Sequence, residues 1–283
     1  MSSQSFCTYE TAWCPGCGNF SILECLKTAL EELGKDPSEV LMTAGIGQAA
    51  KTPQYISANT FCGLHGRSLP AAAAAKIANS ALTVIVDTGD GDSYGEGGNH
   101  FLHNIRRNAD ITHFVHDNQI YGLTKGQASP TSMEGLVTEV QVDGNSATPL
   151  NPVLLAISAG AGFVARAFSG NREQLISIMK QAIEYKGYAL VDILQPCVSF
   201  NKLNTFAWYS KRVYELEADY DPTDRITAMQ RAMEFGDRIP TGILYRVQRA
   251  TFQEKNAVLK DGVPLADRRT DPAVVRDIIN EFI

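Results

Sequence analysis

The sequence predicts an α/β fold: a doubly wound, mostly parallel sheet with helices on both faces and a C-terminal extension. Strand-length apolar runs alternate with stretches of helical periodicity between residues 19 and 195. The runs are apolar at consecutive positions, as parallel strands covered on both faces must be. With 283 residues, 44% of them hydrophobic, the chain can bury a large core. One domain is expected over 1–215, followed by an extension over 216–283 where the composition turns more charged.

The elements follow in order. Phe20, Ile22, Leu23, Leu26, Leu30 and Leu33 recur at helical spacing over 19–33, and Gly34 stands where such a helix stops. VLMTAG (40–45) reads as a buried strand. Residues 68–79, with five consecutive alanines, read as a helix packed closely on the sheet. ALTVIVDTGDGD (81–92) is a second strand that ends abruptly in Gly and Asp, and ITHFVHDN (111–118) is a third, after a helix at 97–108. Residues 119–149, rich in Gly, Ser, Thr and Pro, form a loop too long for a simple connection, which marks it as functional or mobile. Helix (152–161), strand (162–168), helix (172–186) and strand (188–195) complete the main domain. A helix at 223–236 and a short strand at 242–247 precede a polar tail.

A net charge of −6 and a pI near 5.4 give no support to nucleic-acid binding. No run of 18 apolar residues is present, and MSSQSFCTYE lacks a basic segment followed by an apolar core, so a cytoplasmic protein without membrane spans is expected. Four of the six cysteines fall within the first 25 residues. In a reducing compartment that clustering suits a metal or cluster site better than crosslinks.

The chemistry concentrates at two strand ends. Asp90 lies in Gly89-Asp90-Gly91-Asp92, and Asn118 follows Gly91 with 26 residues between them. Both are expected at the carboxyl edge of a parallel sheet, where open α/β folds bind ligands. Glycines let the backbone approach a diphosphate. A carboxylate, an amide oxygen and a backbone carbonyl are the hard oxygen donors that Mg²⁺ prefers. A competing dinucleotide fingerprint at Gly45-x-Gly47-x-x-Ala50 fails. No acidic residue lies between Glu39 and Asp87 to hold a ribose, and Pro53 interrupts the helix that should follow. Separately, Cys14-Pro15-Gly16-Cys17 opens the first helix, and Cys197 follows a strand. On its own a CxxC pair is ambiguous among zinc, a redox dithiol and an iron–sulfur cluster.

GDG followed by the spaced Asn118 resembles the thiamine diphosphate motif. Trp13-Cys14-Pro15-Gly16-Cys17-Gly18, with Cys197 in a Pro-Cys context, resembles the beta subunit of 2-oxoacid:ferredoxin oxidoreductases, over roughly residues 10–215. The resemblance implies a thiamine diphosphate-binding fold with Mg²⁺ on Asp90, Asn118 and the Ile120 carbonyl. It implies further cofactor contacts at Gly47, Gly89, Gly91, Asp92, Gly122 and Leu123, and a [4Fe–4S] cluster on Cys14, Cys17 and Cys197. The family's fourth cysteine lies in a GIGC segment that here reads Gly45-Ile46-Gly47-Gln48, so Cys62 is expected to supply the missing ligand. Leu64-His65-Gly66-Arg67 matches the family's LHGR segment and makes His65 and Arg67 candidates for catalysis or substrate contact. Lys125 stands where pyruvate-selective relatives carry Gly, and offers a cation to the second carboxylate of 2-oxoglutarate.

The implied activity is decarboxylation of a 2-oxoacid to acyl-CoA and CO₂ with electrons passed to ferredoxin, a reaction open to reversal. The resemblance implies that the Glu that activates the cofactor comes from an alpha subunit, in a dimer of heterodimers, and no candidate for it is found in this chain. Two rival readings are a non-redox thiamine-dependent lyase or synthase, and a non-catalytic zinc- or cluster-binding interaction subunit.

Overall fold

The computed structural model describes residues 6–283. Apolar spacing produces α1 (Gly18–Glu32), which buries Ile22, Leu23, Leu26 and Leu30. The buried strands β1 (Val40–Ala44), β3 (Thr83–Gly89), β4 (Ile111–Asp117), β5 (Phe163–Phe168) and β6 (Tyr188–Leu194) form where expected, as does β8 (Ile239–Arg246). Two short strands, β2 (Asn59–Cys62) and β7 (Val213–Glu215), are additions that the apolar pattern does not announce. The eight strands form one sheet in the order β2-β1-β3-β4-β6-β5-β8-β7. All pairs are parallel except β5 with β8, where the register slips by one residue at Val164/Ala165.

Helices cover both faces. α1 and α5 (Arg172–Glu184) pack on one side, over Met42, Ile85, Phe114, Val191 and Ile193. On the other lie α2 (Ser68–Ala78), α3 (Gly98–Arg107), α4 (Pro152–Ser158) and α7 (Arg225–Met233), over Val84, Val86, Val115, Val164 and Leu190. Neighbouring residues of one strand, such as Val84 and Ile85, thus enter opposite cores, the physical reason for the unbroken apolar runs. α6 (Phe206–Ser210) precedes β7, and α8 (Phe252–Lys255) closes with a Thr251/Glu254 capping box.

Beyond residue 215 the chain returns to the sheet, because β8 inserts between β5 and β7. The last helix, α9 (Pro272–Asn280), buries none of its residues and exposes Val274, Val275, Ile278 and Ile279. Among the described residues no helix is long and apolar enough to cross a membrane.

Candidate functional site

β3 stops at Gly89, one residue earlier than the GDG pattern suggests. Asp90 opens a π-helical turn over Gly91–Glu96, closed by the Gly97 amide donating to the Asp92 carbonyl at 2.9 Å. Such turns recur at functional sites. Gly91 is required there, since a Cβ would stand 2.2 Å from the Tyr121 ring. β4 ends at Asp117, and the next turn holds Gln119 in the left-handed region (φ 56°), with the Ile120 amide donating to Asn118 Oδ1 at 3.0 Å.

These turns and the segment after β1 enclose a cavity at the carboxyl edge. Gly47, Gln48, Gly89, Asp90, Gly91 and Asp92 line one part, and Asn118, Ile120, Tyr121, Gly122 and Leu123 another. β1 has β2 on one side and β3 on the other, so the crevice lies where the connections diverge, the expected ligand position.

Asp90 is fully buried. Its Oδ2 accepts a hydrogen bond from Ser129 (2.5 Å), and the Thr131 hydroxyl lies between it (2.8 Å) and Asp117 Oδ1 (2.7 Å), with one proton for the two carboxyls. Desolvation pushes the Asp90 carboxyl up to about 6 against these hydrogen bonds. A buried carboxylate held off its ordinary acidity fits a cation. Asp90, the Asn118 amide and the Ile120 carbonyl offer the oxygen donors for one. The long polar loop is therefore functional in a specific sense: its Ser129, Thr131 and Ser132 are buried against this carboxylate and the Gln119 turn.

Asp92 has a different task. Its Oδ1 accepts from the Ile46 amide (3.0 Å), the Gly66 amide (2.7 Å) and His65 Nδ1 (2.7 Å), tying three segments together. His65 Nε2 is left facing the cavity mouth, 3.6 Å from Glu96, and Tyr121 donates to Glu96 at 3.1 Å.

A second cavity adjoins the first. Trp13, Cys14, Cys17, Asn19, Gln195 and Cys197 line it, and it shares Gln48, Asn118 and Gly122 with its neighbour. The CxxC turn closes through the Cys17 amide to the Cys14 carbonyl at 3.0 Å, and Trp13 Nε1 donates to the Gln48 carbonyl at 2.8 Å. Gly18 must be glycine because a Cβ would meet the Gln195 side chain at 2.6 Å. Gln195 Nε2 in turn donates to the Cys17 sulfur at 3.4 Å. Burial pushes the Cys17 thiol up to about 11, and the neighbouring Cys197 and Cys14 add to the shift. Beneath, His116 bonds Asn19 at 2.7 Å and lies 3.1 Å from Asp87, both of them buried.

Among the described residues no three His, Cys, Asp or Glu side chains stand as a single-ion site. Three thiols around one cavity, with orphaned buried amide atoms on Gln48, Asn19 and Gln195, fit a larger group with several corners.

Comparison with known proteins identifies the lineage. The thiamine pyrophosphate enzyme C-terminal TPP-binding domain matches residues 40–193, and the C-terminal family of the pyruvate ferredoxin oxidoreductase beta subunit matches 197–261. The 2-oxoacid:ferredoxin oxidoreductase 2 subunit beta of Aeropyrum pernix is 42% identical, over 95% of this chain and 93% of its own. The chain belongs to the 2-oxoacid:ferredoxin oxidoreductases as a beta subunit.

A 2-oxoglutarate oxidoreductase subunit KorB of Mycobacterium tuberculosis is 43% identical over 68% of this chain and 52% of its own. A 2-oxoglutarate:ferredoxin oxidoreductase from Magnetococcus marinus, solved with 2-oxoglutarate, coenzyme A and succinyl-CoA bound, superposes with a TM-score of 0.90. It is 34% identical, and the match covers 98% of this chain and 95% of that one. The thiamine-dependent oxidoreductase lineage sets aside both rival readings, the non-redox lyase and the non-catalytic interaction subunit.

The beta subunit brings most of the expected residues together, but not Cys62. That residue ends β2, at the exposed edge, with β1, β3 and β4 between it and β6, which leads to Cys197. Cys62 is exposed and does not line the cavity shared by Cys14, Cys17 and Cys197, so this placement lends the expected fourth thiolate no support. Arg67 and Lys125 are exposed and outside the cavity lining, with Lys125 at a left-handed turn position (φ 77°). Sequence reasoning missed Tyr121, Ser129 and Thr131. Tyr121 lies within the DNQIYG segment that carries Asn118, a signal within reach, whereas nothing in the sequence spacing ties Ser129 and Thr131 to Asp90.

Proposed function

We propose that this beta subunit holds thiamine diphosphate through Mg²⁺ on Asp90, Asn118 and the Ile120 carbonyl, and a [4Fe–4S] cluster through Cys14, Cys17 and Cys197. With an alpha subunit it oxidatively decarboxylates a 2-oxoacid, with 2-oxoglutarate as best substrate, to acyl-CoA and CO₂. Ferredoxin takes the electrons, and a sufficiently reducing ferredoxin reverses the reaction. The observation that carries this reading is the wall of Gln48, Asn118 and Gly122 common to both cavities, which brings an oxygen-donor site next to a thiol site.

When bound, thiamine diphosphate supplies an electron sink for decarboxylation and the cluster a one-electron relay. The chain's own residues do the positioning. Ser129 and Thr131 orient the Asp90 carboxylate, and the left-handed Gln119 turn presents the Ile120 carbonyl beside Asn118. Asp92 holds His65 by Nδ1, so its Nε2 is free to accept a proton or, once charged, to donate one at the cavity mouth. The glycines at 47, 89 and 122 leave room for the cofactor, Gly91 lets the Tyr121 ring pack over the turn, and Leu123 supplies an apolar contact.

Arg67 and Lys125 stand outside the cavity lining, in reach of substrate or partner. Lys125 occupies a backbone conformation that costs a non-glycine residue about 1 kcal/mol. A cost retained at an exposed site argues for a task, here pairing with the second carboxylate of 2-oxoglutarate. The segment 216–283, with the bare apolar residues of α9, contacts the alpha subunit in a dimer of heterodimers. The six unpaired cysteines suit the reducing cytoplasm.

The test is an anaerobic assay of the co-expressed subunits with 2-oxoglutarate or pyruvate, coenzyme A and ferredoxin. Turnover that requires coenzyme A and ferredoxin is expected. Decarboxylation without ferredoxin reduction would overturn the proposal.

A further inference from the structure

We infer that the side-chain amide oxygen of Gln48 is the fourth ligand of the cluster, so that one iron is held by oxygen and three by sulfur. The inference rests on the cluster reading proposed above. A four-iron cluster presents four corners to the protein, and only three cysteines line the cavity. The others are placed elsewhere. Cys25 is buried against the Arg172 carbonyl, Cys62 ends the edge strand, and Cys7 is exposed beside Ser57, whose amide donates to its carbonyl.

Gln48 lines the thiol cavity, and its Oε1 is buried with no donor in reach. An amide oxygen only accepts. Left unmatched in the interior it is destabilising, which a hydrogen-bond donor or a cation would offset. Its backbone is pinned by the Trp13 indole, from the segment that also carries Cys14. Position is thus coupled directly to the CxxC turn.

Gln195 has an orphaned Oε1 in the same cavity, but its amide nitrogen already serves the Cys17 sulfur and the Pro196 carbonyl. Gln48 carries no such commitment. Because Gln48 also borders the diphosphate cavity, the oxygen-held iron is the one that faces the organic cofactor. Iron prefers thiolate to a neutral amide, so this iron is also the labile one. Mild oxidation by ferricyanide removes it: [4Fe–4S]²⁺ goes to [3Fe–4S]⁺ and free Fe²⁺, with the single electron reducing ferricyanide.

The test uses the complex of both subunits, purified anaerobically, with iron and sulfide analysis and EPR as readouts. For wild type we expect full occupancy and a three-iron EPR signal after one equivalent of ferricyanide. Gln48→Ala should lose about a quarter of the cluster iron and show that signal under milder oxidation. Gln48→Glu, which restores an oxygen ligand, should regain full iron, and Gln48→Cys should resist ferricyanide. Gln195→Ala should keep the wild-type iron content. Co-purification of the alpha subunit and an unchanged melting temperature show that each variant is folded. Gln48→Ala with full iron and an unaltered spectrum, or Gln195→Ala losing a quarter instead, would overturn the Gln48 assignment and leave the cluster reading standing. A wild-type complex without iron or sulfide would remove the cluster reading itself.

Discussion

The two cavities at the carboxyl edge of the sheet share a wall and are built in opposite ways. The diphosphate cavity comes from two contiguous motifs, 89–92 and 118–123, each stiffened before any ligand arrives. Asp90 is clamped by two hydroxyls, Asn118 by its own turn, and Asp92 by three donors. The thiol cavity gathers Cys14, Cys17 and Cys197 from opposite ends of the domain, and its amides remain partly unmatched. One site is preorganised by local hydrogen bonds, whereas the other keeps buried amide atoms without partners.

If that contrast is right, the sites should fail independently. The largest effect is expected from Asp90→Asn, which removes the buried anion. Loss of several kcal/mol of cation binding should lower turnover on the order of a thousandfold and release thiamine diphosphate. Iron content should stay at wild type, and a joint loss of both groups would show that the cavities are one cooperative unit. Next comes Cys17→Ser, which should abolish most cluster iron on elemental analysis. Thiamine diphosphate titration should remain within about twofold of wild type.

A third effect separates the support of the sites by pH. His113 lies beneath the diphosphate turn, bonded to Thr88, Ser93 and Tyr188, and burial pushes it down to about 3. Between that value and the ordinary 6.5 the unfolded chain carries a proton that the folded one refuses. The His113 contribution to stability is therefore intact above about 6.5 and falls by up to roughly 1.4 kcal/mol per pH unit below it. The buried Asp90 and Asp192 carboxyls, pushed up to about 6, act in the opposite sense, so the His113 term is read as the difference in denaturant midpoint between wild type and His113→Gln, which should grow in favour of the variant from pH 7.5 to 5.

Smaller still is Lys125→Gly. It should relieve a left-handed lysine and gain about 0.5–1 kcal/mol of stability, while preference for 2-oxoglutarate over pyruvate drops about tenfold. Selectivity unchanged in competition assays would mark Lys125 as a solvent-facing turn residue. The smallest effect belongs to Cys62→Ser, where iron content should not move at all.

How legible each site was follows from the same contrast. GDG and DNQIYG each end a strand, and adjacent parallel strands bring such ends together, so short-range pattern sufficed. Asp90 was misplaced only by one residue, because a π turn cannot be told from a continuing strand in TGDGDS. The ligand set of the thiol cavity depended on strand order, which spacing does not reveal. Asn59–Cys62 is four residues long and exposed throughout, so no apolar run marked it as a strand. Once it adds outside β1, Cys62 is carried away from Cys197 while Gln48, on the loop after β1, reaches inward. The three-residue β7 and the antiparallel insertion of β8 were hidden for the same reason.

That outermost strand has a practical bearing on preparation. β2 ends the sheet with one flank of amides and carbonyls unmatched, and Phe61 lies 52% exposed beside them. A naked flank of this kind is sticky toward any extended polypeptide, further copies of itself included. Production of this subunit by itself should therefore yield soluble oligomers or inclusion bodies, and balanced co-synthesis from one transcript is the sounder route to homogeneous material.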